Sequence, residues 1–305
     1  MILLSRFILK GTSQAALIAA SMAVLGLVPL VGWFAVLISG AAVALVTLVQ
    51  GYRHGLLVML IAVVGAGVFA TLIFSQPLVA VYYMLAVWLP VWLVATVLRE
   101  TVSLALSVLL VAGMSLLALL VMTLMFPGFE ELWREPLDML TAQLAEQSMG
   151  QFTLEELREA EDIAIRLIPG LIASTLMFST MLSLMLARWW QAVNFNPGGF
   201  AKEFQALNLG TSAALVAVVI LAATGWFKTD LLIAMSLVVL VLYVSQGAAV
   251  MHAVVARKKI NVVWLYLVYF LMLFIPHIMV LLVVLGLADA WIDFRRRIAA
   301  ELEKP

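Results

Sequence analysis

The chain has 305 residues, of which 66% are hydrophobic and 11% are charged, and its formal net charge is zero. Ordinary soluble domains are about 45–50% apolar and about 25% charged, so this composition excludes a soluble protein. The balanced charge gives no indication of nucleic acid as a partner. Because there is no cysteine, disulfides, thiol nucleophiles and thiolate metal sites are also excluded.

Apolar runs separated by basic residues predict an all-α fold, a polytopic helical transmembrane bundle whose first partner is the lipid bilayer. Each crossing helix needs about 20 mainly apolar residues, because its backbone must form its hydrogen bonds within the segment. Lys and Arg near short loops stay on the cytoplasmic side. We expect a single integral membrane domain over residues 1–305, with eight full spans followed by a further apolar segment.

The first apolar run, from about residue 15 to residue 30, follows Arg6 and Lys10. It resembles a signal peptide, but it continues into the next run after Pro29 and Gly32 without a convincing cleavage motif. An uncleaved span is therefore expected. Its basic flank predicts a cytoplasmic N-terminus in a bacterial inner (cytoplasmic) membrane.

The next two basic residues, Arg53 and Arg99, mark further cytoplasmic turns, with outer turns near residues 29–32 and 75–77. The span before Arg99 carries Trp88 and Trp92, which are four residues apart and share one face of a helix. These two aromatic side chains either line a ligand pocket or fill the core of the bundle. We include them among the candidate ligand-binding residues.

The one long polar stretch is an acidic insertion at about residues 127–161, and the chain from residue 126 to residue 162 holds ten acidic residues against two arginines. The depletion of basic residues predicts an extracytoplasmic position. Thr153 and Glu156 form a capping-box pattern, so a helix is expected to begin at Leu154 and to continue into a span at residues 163–187. Asp162 and Arg166 are one turn apart and can pair, either as an interfacial salt bridge or as a ligand site.

Two more spans are expected at residues 213–225 and 231–255. The apolar stretch at residues 260–293 has two interpretations, one long tilted helix or two short helices that meet near Pro276. A single crossing would place Arg295, Arg296 and Arg297 outside, so the charge rule favours the hairpin.

Ionisable residues within membrane segments are candidate functional groups because their insertion is costly. His277 lies beside Pro276, and Asp289 and Asp293 lie at the end of the last apolar run. The spacings from Asp289 to Asp293 and from Asp293 to Arg297 predict a charged helical stripe, which either couples to a ligand or extends its charges to the interface.

No P-loop, H-E-x-x-H or G-x-S-x-G pattern is present. We therefore predict no catalytic residue, no metal site, no cofactor and no enzymatic activity. Small residues such as Ser39, Gly40 and Gly247 predict close helix contacts, because association in lipid depends on packing.

The C-terminal segment at residues 286–295 contains Gly286, Asp289, Trp291, Asp293 and Arg295 after a proline-interrupted apolar run. In this motif and over its full length the chain resembles the YybS-like family of uncharacterised bacterial membrane proteins. That family is distantly similar to the S subunits of energy-coupling-factor transporters, which bind a small molecule among membrane helices and depend on separate ATPases and a coupling subunit. The acidic insertion and the additional spans depart from the six-helix S-subunit pattern.

The resemblance implies a small-molecule-binding transporter subunit without its own ATPase. The alternative is a membrane scaffold or assembly protein that acts through membrane protein partners.

Overall fold

The structure, a computed structural model, describes residues 1–147 and 152–302, and within these ranges it contains helices and no strands. The helices of the first half are α1 (Ile2–Ile8), α2 (Thr12–Leu25), α3 (Gly32–Gln50), α4 (Tyr52–Phe74), α5 (Leu78–Tyr83), α6 (Leu89–Thr101), α7 (Leu104–Met125) and α8 (Arg134–Gln147). Those of the second half are α9 (Leu154–Phe195), α10 (Gly199–Gln205), α11 (Gly210–Phe227), α12 (Asp230–Arg257), α13 (Val263–Phe274), α14 (His277–Ile292) and α15 (Phe294–Leu302). A π-helical segment joins α5 to α6, and a 3-10 helix precedes α8.

The predicted polytopic helical bundle is confirmed. Among the described residues, 7 helical segments are long and apolar enough to cross a membrane: α3, α4, the continuous segment Leu78–Thr101, α7, α9, α11 and α12. The helix of the first predicted span, α2, is shorter than expected. It has 14 residues and ends at Leu25, ahead of a turn that contains Pro29. At about 1.5 Å per residue it is roughly 21 Å long, short of the ~30 Å hydrocarbon core.

The helix predicted to begin at Leu154 is confirmed, and α9 runs unbroken for 42 residues. Its N-terminus has the capping box: the Glu156 amide donates to Thr153 Oγ1 at 3.2 Å, and the Thr153 amide donates to the Glu156 carboxylate at 2.8 Å. The acidic insertion that precedes it contains the 3-10 helix and α8, while its residues 148–151 lie outside the described ranges.

Two groups of helices are joined by α9. In the first group α3 packs against α2, α4 and α6; in the second, α12 packs against α11 and α14. Helix α9 contacts both α3 and α12. The close helix contacts expected at small residues are present. An added Cβ at Gly40 would lie 2.8 Å from Ser183 Oγ, and one at Gly170 would lie 2.6 Å from the Cα of Ala234.

The stretch after α12 adopts the hairpin. Helices α13 and α14 meet at Ile275 and Pro276, where proline lacks the amide hydrogen that a continuing helix requires. Tyr269 of α13 bonds to His252 of α12, and Arg257 in the last turn of α12 donates to the Arg295 carbonyl just beyond α14. The hairpin therefore begins and ends beside the C-terminus of α12.

The basic clusters gather at this same end of the bundle, which we call the basic end. The Leu48 carbonyl, near the end of α3, accepts hydrogen bonds from Arg99 and from Gln191 of α9. Asn194 of α9 donates to Ser5 Oγ of α1 at 2.9 Å. The helix ends that the sequence assigned to one side are thus linked by side-chain contacts.

We expect Gly286→Ala to lower the free energy of unfolding by about 1–3 kcal/mol or more, because its methyl group would collide with the backbone of α12. The added Cβ would lie 2.8 Å from the Gly247 amide nitrogen and still closer to the Tyr243 carbonyl. Denaturation of the purified protein in detergent measures the change.

The control is Gly113→Ala in α7, where an added Cβ has no other atom within 4 Å. This variant should be neutral, or stabilised by up to about 1 kcal/mol. Equal losses for the two variants would contradict the close contact of α12 with α14.

Candidate functional site

A cavity with a volume of about 690 Å³ lies between α9, α12 and the α13–α14 hairpin. This volume falls within the range of about 300–1,000 Å³ that small-molecule sites occupy. Its lining consists of Trp33, Leu171, Ser174, Thr175, Phe178, Met181, Leu182, Met185, Phe204, Leu237, Leu240, Val241, Val244, Ser245, Ala248, Tyr269, Met272, Met279, Val280 and Val283.

The cavity wall carries no Asp, Glu, Lys, Arg or His side chain. Two of its hydroxyl groups already donate within their own helices, Ser174 to the Leu171 carbonyl at 3.2 Å and Ser245 to the Leu242 carbonyl at 2.6 Å. Four methionines, on α9, α13 and α14, supply flexible apolar surface that adapts to ligands of different shape.

A tyrosine of the cavity wall is hydrogen-bonded to a histidine that does not itself line the cavity. The hydroxyl of Tyr269, which lines the cavity, lies 2.8 Å from His252 Nε2. The ring of Phe204, from α10, stands edge-on to His252 at 5.4 Å between centroids. A phenol oxygen both donates and accepts, so Tyr269 retains capacity for a second hydrogen bond beside the one to His252.

A buried ion pair lies at the basic end, between Asp289 of α14 and Arg295 of α15. Their side chains are 0% and 6% exposed. Asp289 also accepts hydrogen bonds from the Phe294 amide at 3.1 Å and from Gln246 of α12 at 3.3 Å. Each carboxylate oxygen therefore has a donor, which a buried charge requires.

The same network holds the connection between α10 and α11. Arg295 donates to the carbonyls of Gln205 and Leu207. Gln246 accepts from the Leu209 amide at 3.0 Å and donates to the Gly286 carbonyl at 2.8 Å. One carboxylate and one guanidinium thus hold together four segments of the chain: the α10–α11 connection, α12, α14 and α15. The role of this cluster is structural.

The predicted helical stripe through Asp289, Asp293 and Arg297 is wrong, because α14 ends at Ile292. Asp293 has the left-handed conformation, with φ 47°, and its carboxylate accepts from the Arg296 amide at 3.2 Å. The chain therefore turns between the two aspartates, and Asp289 pairs with Arg295 instead.

The expected pair of Asp162 with Arg166 does not form. Asp162 instead lies 3.6 Å from Arg134 at the start of α8, and Arg134 also binds Glu131 at 2.8 Å. All three of these charges are exposed. The hydrogen bond from Arg134 holds the pKa of Glu131 below its ordinary value.

The remaining candidates do not line the cavity. Trp88 is fully buried and donates to Ser39 Oγ at 2.9 Å, while Trp92 donates to the Tyr52 carbonyl at 2.8 Å. His277 is exposed at the start of α14. None of the seven predicted ligand-binding residues lines the cavity, and the structure does not bring them together. No feature of the sequence singles out this wall, because methionines and other apolar residues recur along the whole chain, which has 16 methionines.

A second ion pair lies near the cavity at the basic end, where Arg188 of α9 meets Glu203 of α10 at 2.8 Å. Burial raises the pKa of Glu203 above its ordinary value, and the adjacent guanidinium opposes this shift only in part. Within residues 1–147 and 152–302, no group of three His, Asp or Glu side chains is arranged to hold a metal ion.

The model of one protein family, described as "Predicted membrane protein (DUF2232)", matches residues 16–290. The match includes the whole cavity wall as well as Gly286 and Asp289. No curated protein and no solved structure matches the chain significantly.

Replacement of Arg295 by methionine should lower the free energy of unfolding by about 3–5 kcal/mol, because the buried Asp289 carboxylate loses its charged partner. Thermal denaturation in detergent measures the loss. The matched control is Arg296→Met, an exposed neighbour, which should change stability by less than about 0.5 kcal/mol.

The double variant Asp289→Leu with Arg295→Met should be less destabilised than the sum of its two single variants, since neither charge is left alone. Strictly additive losses would show that the two side chains act independently.

Proposed function

We propose, for a chain that belongs to the DUF2232 family of predicted membrane proteins, that this protein binds a small molecule among its membrane helices as a transporter subunit without an ATPase of its own. It resides, in this proposal, in a bacterial inner membrane with its basic end and its N-terminus in the cytoplasm. The supporting observation is the cavity of about 690 Å³ between α9, α12 and the hairpin.

The wall of this cavity supports binding rather than chemistry. Its polar side chains are those of Ser, Thr, Tyr and Trp, and it carries no Asp, Glu, His, Lys or Arg that could pair with a nucleophile. The resemblance suggested by the C-terminal motif, to the YybS-like family and through it to S subunits, implies the same role. It adds the expectation that an ATPase and a coupling subunit are partners. Helix ends joined at the basic end offer these partners a cytoplasmic surface.

A scaffold role is the second proposal, and the exposure of α8 favours it. None of the side chains of α8 is buried, and Met139, Leu140 and Leu144 are 58%, 49% and 44% exposed. An apolar strip flanked by acidic residues is suited to a protein partner at the outer surface.

The substitution Val280→Trp should abolish the retention of a co-purifying small molecule, because Val280 lines the cavity and indole would fill its opening. The measurement is mass spectrometry of small molecules released from purified protein, with a thermal-shift screen against a broad metabolite panel. Val284→Trp is the matched control: it lies one turn further on α14, is 58% exposed and does not line the cavity.

If the two variants retain and respond to the same compounds, the cavity is not the binding site. If neither they nor the unsubstituted protein binds any compound, while an outer-surface protein still co-purifies, the scaffold role stands.

Single-cysteine labelling tests the orientation cleanly, because the natural chain has no cysteine. In intact spheroplasts, Glu146→Cys at the end of α8 should react with a membrane-impermeant maleimide, and Lys259→Cys should react only after permeabilisation. Labelling in the opposite order would overturn the proposed orientation.

A further inference from the structure

The lack of charged side chains on the cavity wall limits the kind of ligand that the cavity can bind. No charged side chain faces the cavity, and two of its hydroxyls are committed to backbone carbonyls. An ionised group within it would lose its hydration without a compensating partner, which is strongly unfavourable. The part of a ligand that occupies the cavity is therefore uncharged and mainly hydrocarbon.

The cavity is elongated along the helices. On α9 its lining extends from Leu171 to Met185, a rise of about 21 Å at 1.5 Å per residue. On α12 it extends from Leu237 to Ala248, in the same direction along the bundle. Since α9 and α12 cross the bilayer, the long axis of the cavity follows the direction in which lipid chains lie.

The cavity opens to the outside of the helical bundle between two helices. The hairpin packs mainly on α12 and α11, so the gap lies between α9 and α14. Rim residues on both helices are exposed and apolar: Leu171, Met279 and Val280 are 48%, 42% and 54% exposed. A molecule dissolved in the bilayer can enter sideways through this gap.

One end of the cavity offers a hydrogen bond. Tyr269 lines the cavity and is half-buried, and its hydroxyl lies 2.8 Å from His252 Nε2. This pair lies toward the basic end, where α13 begins. The wall also carries Thr175 and Trp33, and the remaining side chains between these residues and Tyr269 are mainly apolar. This arrangement matches a mainly hydrocarbon molecule with a polar group.

We propose that the cavity binds, from the bilayer, an uncharged amphipathic molecule with one long hydrocarbon chain, whose hydroxyl or carbonyl group hydrogen-bonds to Tyr269. This inference rests on the proposed function and names its ligand class. The chain lies between α9 and the hairpin, and the polar group lies at the level of His252.

The test uses the full-length protein in phosphatidylcholine nanodiscs and two photoactivatable probes, a hexadecanol and a hexadecane that each carry a diazirine in the chain. Cross-linked peptides are located by mass spectrometry, and unlabelled hexadecanol and hexadecane serve as competitors. Label is expected on α9, α12 and the hairpin, and hexadecanol should compete about fivefold better than hexadecane, the value of one ordinary hydrogen bond.

Tyr269→Phe should remove this preference and leave the binding of hexadecane unchanged. Tyr266→Phe is the matched control, since Tyr266 is also on α13 but is 70% exposed and does not line the cavity. The preference for the alcohol in the unsubstituted protein remains a test even if Tyr269→Phe is poorly folded.

Label spread evenly over the lipid-facing sides of α4 and α11, or equal competition by alcohol and alkane, would overturn the inference. Failure of this inference about the ligand class can be distinguished from failure of the proposed function. If Val280→Trp removes a metabolite response while neither probe labels the cavity, the site stands and the ligand class is wrong.

Discussion

A carboxylate and a guanidinium buried together at the basic end organise the second half of this bundle. Removal of two charges from water costs several kcal/mol for each ion, so Asp289 and Arg295 persist there only with full hydrogen bonding. Arg295 donates hydrogen bonds to the carbonyls of Gln205 and Leu207, which lie at and just beyond the end of α10, where carbonyls lack helical donors. Asp289 accepts hydrogen bonds from Gln246 and from the Phe294 amide. The turn at Asp293 is what brings the two charges together, because it reverses the chain within six residues.

Small residues add close helix packing to the contacts made by the ion pair. With Arg295 holding the end of α14, Gly247 and Gly286 let the backbones of α12 and α14 touch, and Gly170 lets α9 approach Ala234. In lipid there is no hydrophobic drive to bring helices together, so contacts of this closeness supply the packing energy. The hairpin therefore stays on α12 even though its two helices have 12 and 16 residues and neither is a full span.

Local signals in the sequence predicted local structure well. The capping box at Thr153 and Glu156 located the start of α9, and the basic residues predicted which helix ends lie together. The partner of Asp289 was not predictable in this way, because the spacing rule assumes a helix that continues and the left-handed turn at Asp293 ends it. The cavity escaped prediction for a different reason: its walls come from helices distant in sequence, and apolar side chains look alike whether they face lipid, a neighbour or a void.

The existence of the cavity follows from how the hairpin is anchored. Its contacts lie on α12 and α11, so the side toward α9 has no helix to fill it. In a soluble core such a void would cost about 24 cal/mol per Å³, but a gap that opens to the bilayer is filled by lipid chains. In the binding mode we propose, a ligand replaces lipid rather than water and gains little from its chain alone. Selectivity must come from a polar group that lipid chains lack. Tyr269, which lines the cavity and is hydrogen-bonded to His252, offers such a group a hydrogen-bond partner.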